Sequence, residues 1–196
     1  MNSYRRELKQ SDLERMRIPQ RYWRASYDGV PELVETPSAP SPRRVVQNYL
    51  SNIEQMYSRG AGLFLWGPNG AGKTSAAVVI AKEYRRRGQT VMFMLCSEMK
   101  DAIINQTMFD AEQTLWDRCR TVKVLVIDDL SKGTQDKTGF GKRSLDDLIR
   151  VRSAHKLVTF VTTNIEAGRG GDPDDPDREQ LGEAVKASTL HTFKEC

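Results

Sequence analysis

Apolar residues are concentrated in four short runs, with stretches of helical period between them. The runs are Leu63–Trp66, Val91–Cys96, Val122–Ile127 and Leu157–Thr162. Runs this short and this uniformly apolar read as buried strands. The stretches between them read as helices: Lys73–Arg87 ending at Gly88, Ser97–Asp117 with a break near Thr107, and Ser144–His155 with Leu145, Leu148 and Ile149 on one face. Strands alternating with helices predict an α/β fold, a parallel sheet with helices on both faces. Upstream, Ser41-Pro42 starts a helix through VVQNYLSNIEQMY, whose Val45, Val46, Leu50, Ile53 and Met56 recur at helical spacing. A short helix is expected over SDLERMR, and residues 31–43, with four prolines, read as an extended linker. Residues 131–142 and 166–177 read as loops, and Glu179–Lys194 as helical. No internal repeat is evident. Two regions result: a basic segment with its linker over 1–43, and an α/β domain over 44–196.

Composition narrows the class. The chain has 196 residues, 38% hydrophobic and 29% charged, which suits one soluble domain with a sizeable core. No run approaches the roughly 20 apolar residues of a membrane helix, and the charged N-terminus does not read as a secretory signal. Cys96, Cys119 and Cys196 are widely spaced, so neither a disulfide framework nor a zinc site is indicated, and a cytoplasmic setting is expected. The net charge of +4 permits a polyanionic partner without demanding one. Residues 1–24 carry seven basic residues against three acids.

Candidate chemistry begins at GPNGAGKT, residues 67–74, which matches G-x-x-x-x-G-K-[ST] between an apolar strand and an alanine-rich helix. Glycines let the backbone curl so that successive N–H groups face phosphate oxygens, and the helix N-terminus adds its positive dipole end. The expected cradle for ATP is Gly67, Pro68, Asn69, Gly70, Ala71, Gly72, Lys73, Thr74 and Ser75. Lys73 would reach the β- and γ-phosphates, and Thr74 would offer its hydroxyl to Mg²⁺. In VLVIDD, apolar residues end in two acids at the C-terminal edge of a strand. Asp128 is the expected second metal residue, holding Mg²⁺ through its waters, and Asp129 the residue that polarises the attacking water. VTFVTTN ends the fourth strand at Thr162, Thr163 and Asn164, and Asn164 is expected to hold the lytic water beside the γ-phosphate. One strand lies between the two motifs in sequence. That suggests the subclass in which another strand separates the P-loop strand from the acidic strand.

These three motifs, in this order, resemble an AAA+ ATPase, and more narrowly the DnaC/DnaI/IstB family of helicase loaders and transposition ATPases. RMRIPQRYWRASYD, GLFLWGPNGAGKTSAAVVIAKEYRRRG, VLVIDDL and SLDDLIRVRSAHKLVTFVTTNI carry the resemblance over most of residues 15–165. It implies a P-loop fold of the AAA+/ASCE type, with Ile18 and Pro19 near the adenine. It implies a DNA replication protein that loads or regulates a replicative helicase on single-stranded DNA and assembles into a homo-oligomer on ATP or DNA. A transposition helper, and a nucleotide-binding interaction module with little turnover, remain open. The chain departs from the family pattern at Ser188-Thr189-Leu190, where an arginine finger is expected, and Arg178 and Lys186 are nearby. It is also expected to stop short of the C-terminal lid, and to have an N-terminal helicase-binding region absent or reduced to about 40 residues.

Other residues carry two readings. Arg85, Arg86 and Arg87 either complement the helix C-terminus in solvent or meet nucleic acid phosphate or a neighbouring subunit. Lys132, Lys137, Lys142 and Arg143 flank a loop that can face DNA. Of Arg150 and Arg152, on the helix that follows, one can face a neighbour's ATP, and a solvated face is the equal alternative. Tyr22 and Trp23 can stack bases or adenine, whereas Trp66 reads as core. His155 and His191 are isolated and carry no assigned chemistry.

Overall fold

The computed structural model describes residues 6–33, 40–98, 110–130 and 140–164. Residues 131–139 of the loop expected over 131–142, the loop expected over 166–177, the break near Thr107, the helix over Glu179–Lys194 and the Ser188–Leu190 position lie outside the described residues.

Among the described residues, four parallel strands form the sheet: β1 (Phe64–Trp66), β2 (Val91–Leu95), β3 (Val124–Asp128) and β4 (Val158–Thr163), in the order β1-β4-β3-β2. β4 therefore separates the strand before the P-loop from the acidic strand, as the motif order suggests. Alternate residues of each strand feed opposite faces. Val124, Val126, Phe93 and Phe160 join one core layer, and Leu125, Ile127, Met92 and Met94 the other. Burial on both faces explains why β2 and β3 read as nearly unbroken apolar runs, whereas β1 is short and only partly buried.

The first layer holds α1 (Gln10–Arg15), α2 (Pro42–Ser51), α3 (Ile53–Arg59) and α4 (Lys73–Arg86). The second holds α5 (Asp110–Thr121) and α6 (Phe140–Ala154). The single helix expected from Ser41 is two helices, interrupted at Asn52. Ser41 caps the first, accepting from the Arg44 N–H at 3.3 Å. Asn52 leaves helical geometry at φ −114°, and its side chain bonds back to Asn48 C=O at 2.9 Å. α6 begins at Phe140, earlier than the expected Ser144.

Helix α4 is buried from Ala76 to Tyr84, which suits its run of small and β-branched residues. Tyr49, Tyr84 and Phe160 pack edge-on or tilted against one another, and the Tyr49 hydroxyl donates to Ala61 C=O at 2.6 Å. The segment before α2 shares this core. Leu13, Met16, Ile18 and Val30 are buried in it, and the Phe93 N–H donates to Met16 C=O at 2.7 Å.

Trp66, expected in the core, is 45% exposed. It is the last residue of a three-residue strand, where the chain leaves the sheet for the P-loop.

Candidate active site

Parallel strands end together, so the residues after β1, β3 and β4 meet along one sheet edge. Register places Trp66 beside Thr163 and Ile127 beside Val161, which brings Gly67, Asp128 and Asn164 to that edge. A cleft of about 320 Å³ opens there, lined by Asn69, Gly70, Gly72, Lys73, Thr74, Ser75, Asp128, Asp129, Thr162 and Asn164, with Arg21, Tyr22 and Leu95 completing the wall.

The P-loop has the strained backbone its glycines permit: φ is 140° at Gly67, 80° at Gly70 and 84° at Gly72. Gly72 is doubly constrained, because a Cβ there would lie 2.5 Å from Pro31 Cδ. Helix α4 follows directly. Its first intrahelical acceptor, Gly72 C=O, serves the Ala76 N–H at 2.9 Å, so the amides of Lys73, Thr74 and Ser75 have no acceptor within the helix. The Lys73 ammonium donates to Gly67 C=O and Pro68 C=O, both at 2.8 Å. Burial pulls the Lys73 pKa below its usual value, and the carboxylates of Asp128 and Asp129 oppose that shift.

Asp128 is buried at 3% exposure and accepts two hydroxyls on Oδ1, from Thr74 at 2.7 Å and Thr162 at 2.6 Å. Asp129 is exposed and sits at φ 58°, a left-handed conformation that Asp tolerates better than most side chains. Strand β4 holds it there. The Asp129 N–H donates to Thr162 Oγ1 at 3.0 Å, and the Leu130 N–H to Thr162 C=O at 2.8 Å. Asn164 Nδ2 donates to Asp129 Oδ1 at 3.4 Å. Thr162 thus links the two acids. The sequence shows it only as one of three polar residues ending a strand, and its contacts follow from the β3–β4 register.

The cluster fits a magnesium-bound triphosphate. A hydroxyl 2.7 Å from a buried carboxylate is an oxygen pair of the kind a hard cation takes. An ammonium resting on loop carbonyls beside helix amides that have no intrahelical acceptor suits phosphate oxygens. Of the residues expected at the adenine, Ile18 lies in the core and Pro19 precedes the 3₁₀ turn Gln20–Tyr22. The residues of that segment that reach the cleft are Arg21 and Tyr22.

The arginines at the C-terminal end of α4, with Arg87 as its cap residue, have partners within the chain. Arg85 pairs with Asp12 at 2.8 Å, Arg86 with Glu83 at 3.5 Å, and Arg87 with Glu83 at 3.1 Å and with Glu54. Arg152 faces neither solvent nor a neighbour's nucleotide. It is fully buried, and its guanidinium donates to Cys119 C=O at 2.6 Å, Val122 C=O at 2.9 Å, Val158 C=O at 2.7 Å and Thr159 Oγ1 at 2.8 Å. Arg150 is exposed and pairs with Asp146 at 2.7 Å.

The model of the ATPase family associated with various cellular activities (AAA) matches residues 63–179, which contain every cleft residue except Arg21 and Tyr22. The chain belongs to the AAA family. This AAA chain is 31% identical over 112 residues to the replication factor C large subunit of Nanoarchaeum equitans (strain Kin4-M), covering 56% of the chain and 25% of that protein. It is 26% identical over 160 residues to the replicative helicase loader DnaI of Bacillus subtilis (strain 168), covering 79% of the chain and 49% of that protein. The chain thus spans half or less of the length of these curated relatives. A crystal structure of DnaI superposes with a TM-score of 0.65 at 20% identity, covering 88% of each chain. The replication initiator DnaA bound to AMPPCP and single-stranded DNA superposes with a TM-score of 0.63 at 16% identity, covering 84% of this chain and 48% of that one. DnaI is among the helicase loaders whose motifs the sequence resembles.

Proposed function

We propose that this AAA chain binds and hydrolyses Mg–ATP in the cleft, as the ATPase part of a DNA replication protein that loads or regulates a replicative helicase on single-stranded DNA. The observation that carries the reading is the Thr74–Asp128–Thr162 hydrogen-bond chain. It ties the P-loop helix to β3 and β4, the two strands whose ends present Asp129 and Asn164. Similarity to DnaI over 79% of the chain supports the replication role.

Each residue has a distinct task in this reading. P-loop amides from Asn69 to Ser75 cradle the phosphates, and Lys73 turns from its two carbonyls to phosphate oxygens. Thr74 and Asp128 hold Mg²⁺, whose charge, when bound, neutralises the phosphate oxygens. Asp129 accepts a proton from the attacking water, and the Asn164 amide orients that water. Lys73 adds positive charge where charge builds on the γ-phosphoryl.

The experiment is an ATPase assay on the full chain, alone and with single-stranded DNA and a replicative helicase. Turnover that rises with DNA and helicase supports the proposal. Binding of ATP with no turnover under any condition would leave a nucleotide-binding interaction module. Capture of a transposase in place of the helicase would favour the transposition helper.

A further inference from the structure

One cation of the P-loop helix has no part in the phosphate chemistry. Lys82 follows Thr74 by eight residues on α4 and is buried, at 4% exposure. Its ammonium donates to three backbone carbonyls of the N-terminal segment: Trp23 at 2.7 Å, Ala25 at 2.9 Å and Tyr22 at 3.2 Å. Three donors meet three acceptors, so the group is fully satisfied. Burial, with the Arg86 charge adding to it, brings the ammonium down to about 8, which leaves it protonated at neutral pH.

The three carbonyls end and directly follow the 3₁₀ turn Gln20–Tyr22, which carries Arg21 and Tyr22 into the cleft wall. The turn is also held by its own backbone bonds, from the Tyr22, Trp23 and Ala25 amides, and by the packing of Tyr22, Trp23 and Ala25 on the core, but among the described residues the Lys82 ammonium is what joins its carbonyls to α4. The Trp23 indole N–H donates to Ile18 C=O at 2.7 Å, and the Arg21 guanidinium lies 4.9 Å over the Tyr22 ring. The loop amides and Lys73 account for the phosphate side of the cleft, and Thr74, Asp128, Asp129 and Asn164 for the metal and water side. What remains is a wall of one aromatic ring, one guanidinium and the Leu95 side chain. Flat apolar and cationic surfaces of this kind suit the base and sugar of a nucleotide.

We infer that Lys82 is a positioning residue for nucleoside recognition, seating the Arg21–Tyr22 turn as the wall that meets the base and sugar of the bound nucleoside triphosphate. The inference rests on the P-loop reading above and adds how the chain distinguishes a nucleotide from a bare polyphosphate. Without the ammonium, the turn loses a donor at three carbonyls and is seated for a smaller fraction of the time. Apparent affinity falls by that fraction, but only for ligands that use the wall.

The test is calorimetric binding of ATP and of inorganic tripolyphosphate, each with Mg²⁺, to the full chain. Wild type is expected to bind ATP more tightly than tripolyphosphate. Lys82→Met is expected to lose about ten-fold in ATP affinity while tripolyphosphate affinity stays within about two-fold. Lys82→Gln, which keeps two N–H donors, is expected to recover part of the loss. Equal losses for both ligands in Lys82→Met, or none for ATP, would overturn the inference. Tyr22→Ala removes the wall directly and decides the matter if Lys82→Met does not fold. It should lower ATP affinity selectively, and an unchanged ratio of ATP to tripolyphosphate affinity would refute the role of the wall. If wild type bound neither ligand, the P-loop reading would fall and this inference with it. If wild type bound both equally, only the inference would fall.

Discussion

Asp129 shows how a single residue joins strain to chemistry. Its left-handed backbone, at φ 58°, costs on the order of 1 kcal/mol for a residue with a Cβ. The Thr162 hydroxyl and carbonyl hold it there, through the amides of Asp129 and Leu130. The result is an exposed carboxylate adjacent to a buried one. Asn is the informative replacement, because it tolerates the same conformation and removes the charge. Asp129→Asn is expected to keep ATP affinity within about three-fold while turnover falls by about 10²-fold or more, the usual scale for loss of a general base. Equilibrium binding and steady-state hydrolysis on one preparation check both halves. Undiminished turnover would remove Asp129 from the water's side of the reaction. The acid pair was legible in VLVIDD because a buried strand rarely ends in two carboxylates without a use for them. Thr162 was not singled out. A threonine two residues before Asn164 is common in strands, and only pairing with β3 gives its hydroxyl two duties.

Between elements, the long-range polar contacts were the least legible features, because they depend on which helices end side by side. Arg152 lies in an amphipathic helix, where a solvent-facing position was as reasonable as any. In the fold it reaches the last carbonyls of α5 and the start of β4, capping groups that a helix C-terminus leaves without donors. Arg152→Met is expected to destabilise by about 3 kcal/mol or more, since buried carbonyls lose their donor. Chemical denaturation measures it, and a change under about 1 kcal/mol would mean that the carbonyls find other donors. Asp12 does similar work at the other end of the chain. It is buried, and takes bonds from Arg85, from Arg6 and from the Lys9 amide. The hydrogen bond from Arg85, foremost among these, holds its carboxyl below the ordinary value of 3.8. A depressed acid stabilises the fold fully above that ordinary value, and the contribution drains away as pH falls through the lower folded value. Acid titration of the wild type is therefore expected to loosen residues 6–33 below about pH 4. Asp12→Asn should be less stable at neutral pH and should show a flatter acid limb. Hydrogen exchange of the Phe93 amide, which bonds to Met16 C=O, reports the segment's attachment. Identical acid profiles for the two proteins would rule out this latch. The strands, by contrast, are readable to within one or two residues, because burial on both faces keeps most of their positions apolar, the threonines of β4 and Asp128 at the end of β3 excepted.

At the scale of the molecule, the P-loop, the acidic strand and the N-terminal segment all meet around one cleft. The sheet order was foreshadowed by motif order alone, since another strand was expected between P-loop and acid strands and β4 occupies that place. The N-terminal segment was harder to place. Its charge and the prolines after it suggested an extension linked to the core, yet Leu13, Met16, Ile18 and Val30 are buried with α4. Pro31 also packs on Gly72 of the P-loop itself. Ligand binding should therefore be felt well beyond the phosphate loop. Anything that binds only the folded chain stabilises it by RT ln(1 + [L]/Kd), about 2.7 kcal/mol at a hundred-fold excess over Kd. For a domain near this size each kcal/mol raises Tm by roughly 2–4 °C, so saturating Mg–ATP is expected to raise it by roughly 5–10 °C. Because Thr74 and Asp128 supply oxygen donors for the metal, ATP with a chelator should give a smaller rise. Lys73→Ala should give almost none, as its ammonium is the cradle's cation. Thermal scans of the three samples decide it. A full rise in Lys73→Ala would place the nucleotide elsewhere, and equal rises with and without Mg²⁺ would remove Thr74 and Asp128 from metal binding while leaving the phosphate cradle in place.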